Sequence, residues 1–436
     1  MISNMEIKRL RLLAKKVAEY ADDPVMFQNK NLWERHNDLE NIRPMLLVSP
    51  EGAWRELIPK DMLECSNFKA REIEWKLLCL IYRYEKLKDD FVISKDWIVH
   101  KNITDSGWGL KPRFLGEDEE PSNAWDFDNT LGFLPKVWDD KIKFSGHSCG
   151  FEQVITKPAD LKKLKFPIVE YHEKKTQDEF AEVQNVFGDI LNVRLKGISR
   201  VSFHPMGYYT QMRGHQQVFI DMYDEPDMVH EAMSIYEDGY RQLIRQYVDY
   251  NLLSLNNDGT YHASGGFGYT SQLPNSDYNP DKIRPCDIWA FAESQEMASV
   301  SPQMHEEFVR VYEKRLLEPF GLNGYGCCDP MDEKLVDVFL IPNIRRISIS
   351  PFANIEKCAP KMGNKYIFSW KPNPSMLAGG FSVETVRNYV EHAIDVTKQF
   401  GCVLEIILKD THTCDSHPER FEKWIDAVRS LIKGNV

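Results

Sequence analysis

Two short runs carry the side chains best suited to chemistry. Gly326-Cys327-Cys328-Asp329 sets two thiols beside a carboxylate, and Lys409-Asp410-Thr411-His412-Thr413-Cys414 gathers an ammonium, a carboxylate, an imidazole and another thiol. Thiolate and imidazole are the donors zinc prefers, and a catalytic zinc takes three protein ligands and keeps one position open. Cys327, Cys328, His412 and Cys414 are therefore candidate metal ligands. The competing readings are burial of the thiols as small apolar groups and, for the adjacent pair, a vicinal disulfide. Lys409 and Asp410 suit proton transfer, or else a rim ion pair. Lys371, ahead of Pro372 and Pro374, is a loop cation for a carboxylate or phosphate, or for solvent. Asn256, Asp258 and His262 share a glycine-rich loop, where Asp258 is a candidate proton carrier and the other two are candidate substrate contacts. Gly265, Gly266 and Gly268 do not have the spacing of a dinucleotide fingerprint. Arg213 (in QMRGHQ) and Gln295 (in AESQ) are candidate substrate contacts or structural partners. His305 reads as a solvated helix residue, and Cys65, Cys79 and Cys286 read as packing.

The elements that must position these groups are clearest in the last third. RRISIS, KYIFSW and CVLEIIL are short apolar runs of strand type, with helical patterns between them. In SVETVRNYVEHAIDVTKQFG, Val383, Val386, Val390 and Ala393 repeat at spacings of three and four, with Ser382 as N-cap and Gly401 as stop. PQMHEEFVRVYEKRLLEPFG is a further helix, ended by Gly321. Strand and helix alternate without hairpin signals, which predicts parallel βα units. In a chain this long, a (β/α)₈ TIM barrel fits them better than an open sheet. Segments that follow barrel strands share the face where active sites sit. Gly326–Pro330, Ser350–Asn354, Lys371–Ser375 and Lys409–Cys414 should thus converge. Residues 1–40 read as an N-terminal helical extension, and 41–436 as one barrel domain. Its long irregular insertion, at about 101–143, is rich in Trp, Gly, Pro and Asp and is either a lid or a surface excursion.

Of 436 residues, 54 are Lys or Arg and 66 are Asp or Glu, a net charge of −12. Such a chain repels a phosphate backbone, so nucleic acid is not an expected partner. No apolar run approaches the ~20 residues that span a bilayer. Nine cysteines, an odd number, in a large chain without an export signal point to a reducing cytoplasm.

Over most of its length, from about Arg43, the sequence resembles the uroporphyrinogen decarboxylase superfamily, which includes the cobamide-dependent methyltransferases. The segments that carry the resemblance are RPMLLVSP, DDFVISKDWIV, MRGHQQVFIDMYDEPDMVHEAM, SPQMHEEFVRVYEKRLLEPFG and SISPFANIEKCAPKMGNKYIFSWKPNP. The resemblance implies a (β/α)₈ barrel with a cleft at its C-terminal mouth. Where porphyrinogen decarboxylases carry an Arg-x-x-Gly-Arg-Tyr motif, this chain has SPEGAWRELIP, with Trp54 as the substrate-facing candidate. Both arginines are gone, which argues against a porphyrin substrate. The methyltransferase branch holds zinc with His-x-Cys-Gly and a lone later Cys. Here Tyr325-Gly326-Cys327-Cys328 stands at the first position and ILKDTH, with His412, at the second. Tyr325 joins the catalytic candidates as the residue in place of the His.

The resemblance therefore implies a zinc-assisted methyltransferase moving a methyl group between a small methylated compound or thiol and a corrinoid held by a partner protein. Cys327, His412 and Cys328 or Cys414 would be ligands. Asp410, Lys409 and Asp258 would orient substrate or move protons. The alternatives are two. One is a metal-independent decarboxylase or lyase on a small carboxylated substrate, with Lys371 and Arg213 holding the carboxylate and Asp96 or Asp410 handling the proton. The other is a non-catalytic protein that binds a corrinoid or tetrapyrrole.

Overall fold

A computed structural model describes residues 2–115, 125–128, 130–141, 150–262 and 264–434. Cys149 and parts of the expected insertion (116–124, 129 and 142–143) lie outside the described residues.

Seven strands form the central sheet: β1 (Met45–Val48), β2 (Ser202–Phe203), β3 (Trp289–Ala292), β4 (Leu322–Tyr325), β5 (Ile344–Ile349), β6 (Ile367–Trp370) and β7 (Val403–Leu408). All pair in parallel, in the order β1-β7-β6-β5-β4-β3-β2. Five pairs of successive strands, and a sixth that joins the last strand to the first, bring every C-terminal strand end to the same side. β1, β3, β4, β6 and β7 are buried along their whole length, as parallel strands covered on both faces must be. That is why β1 and β3 read as continuous apolar runs and β6 and β7 nearly so. Asp96–His100 and Asn192–Lys196 form a separate parallel pair.

Helices return the chain between strands. Val383–Gln399 connects β6 to β7; its N-cap Ser382 accepts from Thr385 N–H, and Gly401 follows with φ +65°. A left-handed residue just past a helix end is tolerated best by glycine, which has no Cβ to clash. The N-terminal residues form α1 (Asn4–Ala21) and α2 (Pro24–Asn37). Ser3 and Glu6 make a reciprocal capping box on α1, whose Leu10, Leu13, Ala14 and Val17 are buried. α2 reaches into the sheet itself. His36 Nε2 lies 3.3 Å from Glu405 on β7, and Asn37 accepts from Arg346 on β5 at 2.7 Å.

The described parts of the insertion form strand pairs, and the pairing runs beyond its expected end. Ile103–Asp105 pairs antiparallel with Val169–Tyr171, and Arg113–Phe114 with Phe151–Glu152. Trp125–Asp128 and Gly132–Pro135 form a hairpin. Trp138 then anchors the excursion against Trp75, with ring centroids 5.3 Å apart. Among the described residues no helix is long and apolar enough to cross a membrane.

Candidate active site at the strand ends

The residues that follow β7, β4 and β1 come together. Lys409 Nζ lies 3.2 Å from Asp410 Oδ2 and 3.7 Å from Cys327 Sγ. The sulfurs of Cys327 and Cys328 are 3.6 Å apart, and Cys328 Sγ is 3.8 Å from Asp410 Oδ2. Asp410 N–H donates to Glu51 Oε2 at 3.1 Å. Glu51 and Asp410 end adjacent strands, and both are non-glycine residues in the left-handed region, at φ +45° and +57°. Such backbone costs about 1–3 kcal/mol per residue and concentrates at functional sites.

Why Cys327 reaches this cluster is a matter of one glycine. Along β4, alternation turns Tyr325 outward, where its hydroxyl donates to Glu313 at 2.6 Å among the helices. Strict alternation would turn Cys327 outward as well. Gly326, at φ +89°, breaks the alternation and swings both thiols to the strand-end face.

Electrostatics distinguish the members. Burial pushes the Glu51 carboxyl up to about 8, with Asp410 and Cys327 adding to the shift and Lys409 opposing it. Its Oε1 is buried without a hydrogen-bond partner. At neutral pH Glu51 is an acid carrying a proton that no neighbour accepts. Lys409 is firmly charged: burial disfavours the ammonium, but Cys327, Asp410 and Glu51 outweigh it. The hydrogen bond from Cys327 lowers the Cys328 thiol below its usual range, with help from Lys409 and against burial.

A second layer rings this cluster. Arg200 is half-buried, its guanidinium 4.0 Å from the Phe127 ring and 4.9 Å from the Phe133 ring of the hairpin. Its Nε is buried and unpartnered. Burial lowers its pKa to about 10, while Tyr261, Cys327 and Glu293 pull it back up. After β2 and β3, His204 Nδ1 meets Glu293 Oε1 at 2.8 Å. Burial disfavours the imidazolium, but the bond to Glu293 prevails and raises its pKa. Tyr261 lies beneath the hairpin, its ring 3.4 Å from where a Cβ on Gly132 would sit.

The other expected site residues have different duties. Arg213 makes a bidentate pair with Asp221 at 2.6 and 3.0 Å and bonds Ile155 O, which fixes a helix junction. Asn256 spans backbone groups of Ser199 and Trp289, and His262 Nε2 sits 3.2 Å from Asn256 O against the Trp289 ring. Both are buried framework. Asp258 pairs with Lys196 at 2.7 Å, and Asp96 with Arg194 at 3.1 Å. Trp54 is fully buried, edge-on to Trp75 and Tyr82. Lys371 is buried one layer below the cluster, bonded to Ser369 O at 3.0 Å. Burial brings its ammonium down to about 7, although Glu405 opposes the shift. Gln295 is exposed at the end of β3, and its backbone N–H holds Glu293 at 3.0 Å. His305, read as solvated, is buried beside Tyr325.

The four thiol and imidazole candidates do not form one ligand set. Cys414 is buried and its thiol donates to Glu56 at 3.0 Å, while His412 is exposed with its ring against Gly52. Among the described residues no three His, Cys, Asp or Glu side chains are grouped to hold an ion. The arrangement does not fit the zinc site that the resemblance implies.

Glu51, Arg200, His204, Glu293 and Tyr261 escaped the sequence reading. Glu51 and Glu293 carried a usable signal, since each closely follows a short apolar run (MLLV and WAFA). β2 is only two residues long, so nothing in the sequence marked His204 as a strand-end residue. The chain matches no model of a known protein family and no curated protein.

Proposed function

We propose that this chain is a (β/α)₈-barrel enzyme that decarboxylates a small carboxylated substrate by proton transfer at the C-terminal mouth. The barrel reading is supported by the seven-strand order, in which β7 returns to β1. The observation that carries the chemistry is the buried, proton-bearing Glu51 set beside charged Lys409. Lys409 and the unpartnered edge of Arg200 bind the substrate carboxylate. Departure of carbon dioxide leaves an electron pair on carbon, so the substrate must hold its own electron sink next to that carbon. Glu51 Oε1 then delivers its proton to the carbon. His204, held at both ring nitrogens by Glu293 and Ser202, lines the same face, and the hairpin over Arg200 excludes water, which strengthens the contacts of Lys409 and Arg200.

The test is a panel of small carboxylic acids bearing a neighbouring carbonyl or imine, followed by release of labelled carbon dioxide in the presence of a chelator. Turnover that survives chelation and falls in Glu51→Gln supports the reading. Turnover unchanged in Glu51→Gln overturns it.

A second reading, methyl transfer to or from a corrinoid carried by a partner protein, is favoured by the paired thiols. Methyl transfer from a methylated corrinoid, abolished in Cys327→Ser and unaffected in Glu51→Gln, would select it.

A further inference from the structure

The proton chemistry proposed above makes no use of sulfur, yet two thiols lie in the middle of the cluster. Cys327 and Cys328 are both half-buried, so they can be reached from the strand-end face, and their sulfurs are 3.6 Å apart. Two features decide what such a pair can do. Neighbouring Cα atoms are ~3.8 Å apart, below the ~4.4–6.8 Å that a relaxed disulfide spans, so an S–S bond between them is strained and easily reduced. A single atom bonded to both sulfurs at about 2.3 Å would, by contrast, see them at roughly 100°, an angle that pyramidal and tetrahedral centres adopt without distortion. The backbone holds this spacing in place. Ser348 Oγ donates to Cys327 O at 3.0 Å, and Cys327 N–H donates to Asp329 at 3.3 Å. Lys409 stands 3.7 Å from Cys327 Sγ, where it stabilises a developing thiolate.

We propose that Cys327 and Cys328 form a dithiol site that captures a two-coordinating soft electrophile, of which monosubstituted trivalent arsenicals are the chemical class. In the capture step the two S–H bonds break and two S–As bonds form. The arsenic-bound oxygen takes both protons and leaves as water, and no centre changes oxidation state. The capture is independent of the decarboxylase reading.

The probe is phenylarsine oxide, added to the full chain under reducing conditions and followed by native mass spectrometry. The expected result is about one arsenic per chain, released by a 1,2-dithiol and retained against excess glutathione. Cys327→Ser and Cys328→Ser should each lose the glutathione-resistant adduct, with circular dichroism unchanged. Cys286→Ser and Cys149→Ser should keep it. An adduct that glutathione strips from the wild type, or one that persists in the Cys327→Ser/Cys328→Ser double variant, overturns the proposal.

Discussion

Two layers of charge are buried along the same strands, and they are built to opposite rules. In the deeper layer Glu405 faces His36, Ser369 and both Nε and Nη2 of Arg346, whose Nη2 also reaches Asn37 and Phe267 O. One carboxylate is met by donors from α2, β5 and β6, and these partners, Arg346 chief among them, hold it well below the usual carboxylate range against the pull of burial. At the strand ends the atoms are left wanting. Glu51 Oε1, Arg200 Nε and Tyr261 Oη are buried without partners; the deep layer leaves over Arg346 Nη1, but both oxygens of its carboxylate are bonded. An unpartnered buried polar atom costs about 1–3 kcal/mol. The deep layer spends both oxygens of its carboxylate on holding strands together, whereas the upper layer leaves one carboxyl oxygen unbonded, which is what the proposed proton transfer requires.

The sharpest way to break this contrast is at Glu51. Glu51→Gln should lower turnover of the substrate by about 10²–10⁴-fold, with the urea midpoint unchanged or slightly raised. A large loss of stability instead would make Glu51 part of the framework. Arg346→Leu should do the reverse. It strands a buried carboxylate and should cost about 3–5 kcal/mol in chemical denaturation. Tyr325→Phe removes one donor from buried Glu313 and should cost about 1–3 kcal/mol, leaving turnover within about twofold because the hydroxyl faces the helices.

The smallest effect is a slope. Glu51 binds its proton more tightly folded than unfolded, so between its ordinary value of 4.5 and about 8 the native state holds more protons than the unfolded chain. Stability therefore falls as pH rises through that window and levels off above it. Denaturation midpoints for wild type and Glu51→Gln should diverge across that range, the variant lacking this part of the slope. If the two curves run parallel, Glu51 is not the protonated group.

What was legible in the sequence follows the same division. β5, β6 and β7 were visible because they are short runs rich in β-branched and aromatic residues set between helical patterns, and the helix over Val383–Gln399 because its stripe, cap and stop agree. Lys409 and Asp410 were legible as the residues that end β7, and the two cysteines as those that follow the short run ending at Tyr325. Tyr325 and His305 were misjudged because alternation and burial depend on which side the helices pack, which composition does not encode. Arg200 and Tyr261 were missed since each is placed by the hairpin through contacts far away in sequence.

The excursion that carries that hairpin leaves and rejoins the body at paired positions, Asp105 opposite Val169. Its two ends lie side by side, as the ends of an insertable unit do. A different cover could be spliced between them while the seven strands and their Lys409–Glu51 chemistry stay as they are. If the proposed decarboxylation holds, selectivity and catalysis lie on separately heritable pieces of one chain, and exchange of the cover is the shortest route to the same reaction on another acid.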